Sequence, residues 1–378
     1  MFKLERKRIG VAIVCHAVLL GGCFGSSVVS QNGASSTSTS SSSTSSSSTT
    51  GGSTSSACDS SITSSSSGSL AIDLSNGLVP LCDGEAYVGD STTNEVVKLN
   101  VFTGSISNSY ALSDTPKDLV YDSTNNFLYA SLVTATEIAK IDLGTGTVST
   151  IPITGGTVDH LVAGGNGTLF ASLKPTSGSY SGPIAVINGV AGTVAATISG
   201  TYSLILGFDP ASNTLFTADE GLSPSALTQY TYNSSSYTLT QAQKISNAGG
   251  NGSTIAVSPS GSQIAYVDGG GNGSPPYTIY DDSASNINTV NGAWNTGAYP
   301  AGGDFSLNGQ YFGSTNESNT LYVFNATTHT AQKTDSVSLC AYGQLFQARF
   351  SQGSKVLFAL TKCGSPASSG YIYWTTVQ

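Results

Sequence analysis

Residues 115–153 read T-P-K-D-L-V-Y-D-S-T-N-N-F-L-Y-A-S-L-V-T-A-T-E-I-A-K-I-D-L-G-T-G-T-V-S-T-I-P-I. Four short runs rich in β-branched and aromatic residues are separated by Asp, Asn, Thr and Gly clusters. Runs of this length are too short for helices and carry the residue types that fit a pleated, half-buried surface. Gly144-Thr145-Gly146 between the last two runs suits a tight hairpin, because Gly accepts the positive φ that such turns demand. One four-stranded sheet of this kind cannot bury both of its faces, so copies must stack on one another.

Copies are present. The turn after the first run recurs as Cys82-Asp83-Gly84, Asp122-Ser123-Thr124-Asn125, Gly164-Gly165-Asn166-Gly167, Asp209-Pro210-Ala211, Ser258-Pro259-Ser260-Gly261, Ser306-Leu307-Asn308-Gly309 and Ser351-Gln352-Gly353. The spacing of about 39–49 residues is the period of a four-stranded propeller blade. Tyr87-Val88-Gly89-Asp90 with Asn94-Glu95-Val96-Val97, and Ser258-Pro259-Ser260-Gly261 through Tyr266-Val267, resemble the YVTN-type seven-bladed β-propellers. The resemblance spans residues 69–378 and implies an all-β, seven-bladed propeller of four-stranded antiparallel blades. Tyr371 to Thr376 reads as the third strand of the last blade with none following, so the fourth is expected from Leu70-Ala71-Ile72-Asp73-Leu74, closing the ring from the N-terminal side and removing exposed sheet edges.

Ahead of the repeats, Lys3, Arg6, Lys7 and Arg8 precede an apolar run at residues 9–20, too short for a membrane span and typical of a secretory signal. Leu20-Gly21-Gly22-Cys23 resembles the bacterial lipobox, which predicts a signal peptide over 1–22 and lipidation at Cys23. Phe24 after that Cys lacks the Asp that retains such proteins at the inner membrane, which favours the outer membrane, facing periplasm or cell surface. Residues 23–68 are dominated by Ser and Thr, contain no recurring apolar position, and are expected to form a disordered tether. Such a tether has a root-mean-square reach of roughly 35–40 Å.

Without the signal peptide the chain holds nine Lys and Arg against 21 Asp and Glu, a net charge of −12. That balance argues against nucleic acid and against anionic lipid headgroups, leaving the membrane reached only through the anchor. Cys58, Cys82, Cys340 and Cys363 are an even set in an exported chain, none in a C-x-x-C, and so predict disulfides. Strand direction alternates in a blade, which places Cys58 and Cys82 on one face and Cys340 and Cys363 on the other. The expected pairs are Cys58–Cys82 and Cys340–Cys363.

The sequence has no G-x-S-x-G, no H-E-x-x-H, no P-loop and no G-x-G-x-x-G after a strand. Aligning first strands on their turns places Asp118, His160, Thr254 and Gln347 four residues before the turn, and Asp304 and Arg349 two before it. In a propeller these line the central channel near one mouth, where they either receive a ligand or satisfy neighbouring backbone. Asp304 and Arg349 also suit an ion pair between adjacent blades. Ser172 is the nearest serine to His160, although nothing in the spacing aligns it as a nucleophile. His329, in a polar Thr-Thr-His-Thr turn, reads as a solvated loop residue. Asp90, Asp219, Glu220 and Asp268 end second strands on the same face, an acidic rim offering oxygens of the kind Ca²⁺ takes; no other cofactor is expected. Tyr180, Tyr202, Tyr299, Tyr342 and Trp294 fall in or beside apparent loops. Trp294 and Tyr299 lie in the longest of these and are the expected partner-binding loop residues. These features favour a monomeric, lipid-anchored propeller that binds or scaffolds a protein or glycan. A lactonase-like hydrolase and a structural surface protein are the alternatives; a lactonase acting on phosphorylated sugars needs cationic groups, for which Arg349 is the candidate.

Overall fold

The computed structural model describes residues 58–377, apart from residues 73, 175–180, 203, 221, 269–276, 282–286, 290–293, 298 and 365–368. All of its regular structure is strand: among the described residues there is no helix. Among the described residues the strands form seven four-stranded antiparallel sheets, and their arrangement is that of a β-propeller. Six sheets carry four strands of at least five residues, whereas the fifth in chain order ends in a two-residue edge, Asn288–Thr289.

The first strands of sheets one to seven are Leu74–Pro80, Pro116–Asp122, Thr157–Ala163, Leu204–Asp209, Gly252–Val257, Pro300–Phe305 and Gln344–Phe350. Each contacts the first strand of the next sheet, and Leu74–Pro80 also contacts Gln344–Phe350. The expected terminal pairing is present: Ser67–Ile72 runs antiparallel to Gly370–Thr376, with Leu70 opposite Ile372. Leu74 instead begins the first strand of sheet one, and Asp73 lies outside the described residues.

Burial follows radial position. Second strands are covered on both faces by the neighbouring sheets, so Phe127–Leu132 and Val356–Lys362 are buried almost throughout. This explains why they read as continuous apolar runs rather than alternating ones. Fourth strands such as Ser105–Ala111 and Ala331–Ser336 are largely exposed and correspondingly polar. The core consists of seven apolar clusters between neighbouring sheets. One of them joins Leu78, Ala86 and Val88 of sheet one to Val356, Phe358 and Ile372 of sheet seven.

Both disulfides form as expected, Cys58–Cys82 and Cys340–Cys363, with Cα separations of 5.0 and 5.8 Å. The boundary of the tether is corrected. Its last part, from Cys58, belongs to the fold: Asp59 is fully buried and Ile62 enters the cluster between sheets seven and one. The Ser/Thr composition hid this because two buried residues and a disulfide, rather than a hydrophobic stripe, hold the segment. The signal peptide, Cys23 and the remainder of the tether lie outside the described residues.

Candidate functional site: the central cavity

In five sheets the pairing of first and second strands slips at the same place, leaving Lys117, Asp159, Ser253, Ala301 and Phe346 as the extra residues. A bulge of this kind bends the strand and re-aims side chains. Here the bulges sit at the starts of the first strands, and four of the extra residues, Lys117, Asp159, Ser253 and Phe346, line a central cavity of about 480 Å³. All seven first strands contribute to its wall. The volume lies within the usual range of ligand pockets, roughly 300–1,000 Å³.

Asp118, His160, Thr254, Asp304, Gln347 and Arg349 all line this one cavity. Three of them use their polar atoms largely on backbone. Asp118 Oδ1 accepts from its neighbour Leu119 N–H at 2.9 Å, and Oδ2 accepts from Leu161 N–H of the next sheet at 3.1 Å. Asp304 Oδ2 accepts from Phe350 N–H, again in the next sheet, at 3.0 Å. Thr254 donates to the Ser253 carbonyl at 2.7 Å. The two carboxylates therefore stitch neighbouring first strands together, while the 2.7 Å bond of the hydroxyl stays within its own strand. The Asp304–Arg349 ion pair does not close among the described contacts, since Arg349 donates to the Ala348 carbonyl at 3.0 Å. Burial raises the Asp304 carboxyl above its ordinary range, with the Arg349 charge opposing the rise.

His160 and Gln347 differ from these. Each has a buried polar side-chain atom, Nε2 and Oε1 respectively, with no aligned hydrogen-bond partner. His160 Nε2 lies 3.5 Å from Glu220 Oε2, and Lys117 pairs with Asp159 on the adjoining bulges. Burial opposes a proton on His160, but the carboxylates of Glu220, Asp159 and Asp118 outweigh it and raise the imidazole above its ordinary value. Ser172 Oγ accepts the His160 backbone N–H at 3.1 Å, as Ser131 Oγ accepts that of Asp118 at 3.0 Å. Both serines thus cap bulges, and Ser172 is spent on backbone rather than on the imidazole.

Lys117 and Asp159 were missed in sequence because the extra residue of a bulge leaves no mark in an alternation pattern. Their trace is positional. Lys117-Asp118, Asp159-His160 and Ser253-Thr254 are polar pairs at one offset from the turn.

Two expectations are overturned. Trp294 is not a partner-binding loop residue: it is fully buried, stacked on Phe312 at 4.3 Å and edge-on to Phe305 at 5.8 Å. An indole in a polar loop is the largest apolar surface that loop has to hide, and here it completes the cluster between sheets five and six. His329 is likewise not a solvated residue. It is half-buried with its ring 4.8 Å from that of Trp294, and burial lowers its pKa. Tyr299 is 46% exposed and Tyr342 88% exposed. Among the described residues the acidic rim does not gather as a group: Asp90 caps Thr92 and Thr93, Asp219 accepts from Ala226, and Glu220 faces His160. The side chain of Asp268, and those of Tyr180 and Tyr202, lie outside the described residues.

No family model matches the chain, and no curated protein matches it.

Proposed function

We propose that this chain is an exported, lipid-anchored binding module whose seven blades form a closed ring and whose central cavity receives a neutral glycan. The observation that carries the reading is the convergence of all seven first strands on one cavity that holds polar groups left unspent by the fold. Seven sheets, the terminal strand pairing and the apolar cluster joining sheets one and seven support ring closure. The two disulfides support export, and the lipobox at Cys23 supports anchoring.

A glycan is favoured over a protein by two exposed tyrosines that precede first strands lining the cavity. Tyr299 directly precedes the first strand of sheet six and Tyr342 lies just before that of sheet seven, both with positive φ, 57° and 55°. That conformation is costly for a bulky side chain, on the order of 1–3 kcal/mol. Asn251, directly before sheet five, fills the same conformation with a residue that tolerates it. Two exposed tyrosines kept in such a backbone suit stacking on sugar faces.

Hydrolysis has less support. Ser172 is committed to the His160 backbone and Lys117 to Asp159, which leaves Arg349 as the cation a lactonase for phosphorylated sugars would use. The test is titration of neutral oligosaccharides and of peptides into the purified chain by calorimetry. Tyr299→Ala and Gln347→Ala are expected to weaken oligosaccharide binding without lowering the melting temperature. Peptide binding alone would reassign the partner class. Turnover of a lactone or glycan that His160→Ala abolishes would overturn the binding-module reading.

A further inference from the structure

We propose that Asp159, His160 and Glu220 form a site for a divalent first-row transition-metal ion of the Zn²⁺ type at the mouth of the central cavity. One donor atom of each side chain lies within 4.8 Å of the other two, and theirs is the sole such group of three among the described residues. The three come from different places: Asp159 and His160 from the bulge of sheet three, Glu220 from just after the second strand of sheet four. Only the packing of neighbouring sheets brings them together.

The geometry favours a shared cation over a simple ion pair. Bonds of about 2.0–2.2 Å to a tetrahedral ion set neighbouring donor atoms roughly 3.4 Å apart. His160 Nε2 and Glu220 Oε2 are 3.5 Å apart, long for a charge-assisted hydrogen bond. No acceptor is aligned with Nε2, although that atom is buried. One imidazole with two carboxylates is a borderline donor set that suits Zn²⁺ and its first-row neighbours. Ca²⁺ takes six to eight oxygens, and this group supplies too few. Asp159 and His160 both line the cavity, so an ion held by them would border it. Lys117 holds one oxygen of Asp159 and competes with an ion for that carboxylate.

This site adjoins the proposed glycan cavity but does not depend on it, and its test contains no glycan. Full-length protein with any affinity tag removed is titrated with ZnCl₂ and, separately, CaCl₂ by calorimetry near neutral pH. The expected result is one Zn²⁺ per chain, with Ca²⁺ binding far weaker. Binding should be lost in Glu220→Gln and His160→Ala, tightened in Lys117→Met and retained in His329→Ala. Glu220 is 45% exposed at its side chain, so its variant is expected to melt like the parent and carries the test if His160→Ala fails to fold. Absence of stoichiometric Zn²⁺ binding overturns the proposal. So does binding that survives Glu220→Gln, or that disappears with His329 instead.

Discussion

Trp294 has no exposed surface, and three rings hold it: Phe312, Phe305 and His329. Removing a buried indole forfeits its transfer energy and leaves a cavity that a closely packed interface between sheets cannot collapse. Trp294→Ala is therefore expected to destabilise the fold by about 3–5 kcal/mol. Chemical denaturation would show this as a lowered midpoint with little change in slope. A variant that melts like the parent would mean the indole is not in the core. The same scale separates the polar residues of the cavity. Asp118, Asp304 and Thr254 act on backbone, whereas His160 and Gln347 keep a polar atom unspent. Substitution of the first group should register in stability, and of the second in binding.

At the scale of elements, the short segment from Cys58 acts as a clasp. Cys58 is bonded to Cys82 in the turn of sheet one, and Asp59 reaches the corresponding turn of sheet seven. Its carboxylate accepts from Asp83 N–H, Ser351 Oγ–H and Lys355 N–H, while its carbonyl accepts from Lys355 Nζ. Gly353 is required beside it, since a Cβ there would come within 2.4 Å of Asp59 Oδ2. Replacing the carboxylate leaves three donors without their acceptor, the buried Ser351 hydroxyl and the part-buried N–H groups of Asp83 and Lys355. Asp59→Ala is expected to cost roughly 2–4 kcal/mol even with the Cys58–Cys82 bond intact. Thermal melts under non-reducing conditions check this; an unchanged melting temperature would show that the disulfide alone holds the segment.

For the whole molecule, the central question is how the two ends of the chain meet. Ser67–Ile72 supplies the outer strand of sheet seven, covering the edge that Gly370–Thr376 would otherwise present. An uncovered edge strand is a template for pairing with another chain. A chain starting at residue 58 should melt with the full-length protein and stay monomeric. One starting at residue 74 loses both the strand and the Cys58–Cys82 bond, and should self-associate in size-exclusion chromatography or lose its cooperative melt. A monomeric, fully stable product from the shorter chain would show that this strand is not needed to cover the edge.

The sequence by itself determined the class of fold, the place of each turn, the strand supplied from the N-terminal side and both disulfide pairings. These follow from local chemistry repeated at a fixed period: Gly and Asn where φ must be positive, β-branched and aromatic runs between them, and alternating strand direction. It also placed six polar residues around one cavity, because like offsets from equivalent turns, four residues for four of them and two for Asp304 and Arg349, become like heights along the first strands. Only the tertiary structure decided what those side chains do. Whether Asp118 meets a ligand or the Leu161 N–H depends on how far the next sheet is rotated, a quantity no single repeat encodes. The pairing of Lys117 with Asp159 and the approach of Glu220 to His160 arise at contacts between sheets. There the partners are about a blade or more apart in sequence, and their pairing is set by packing alone.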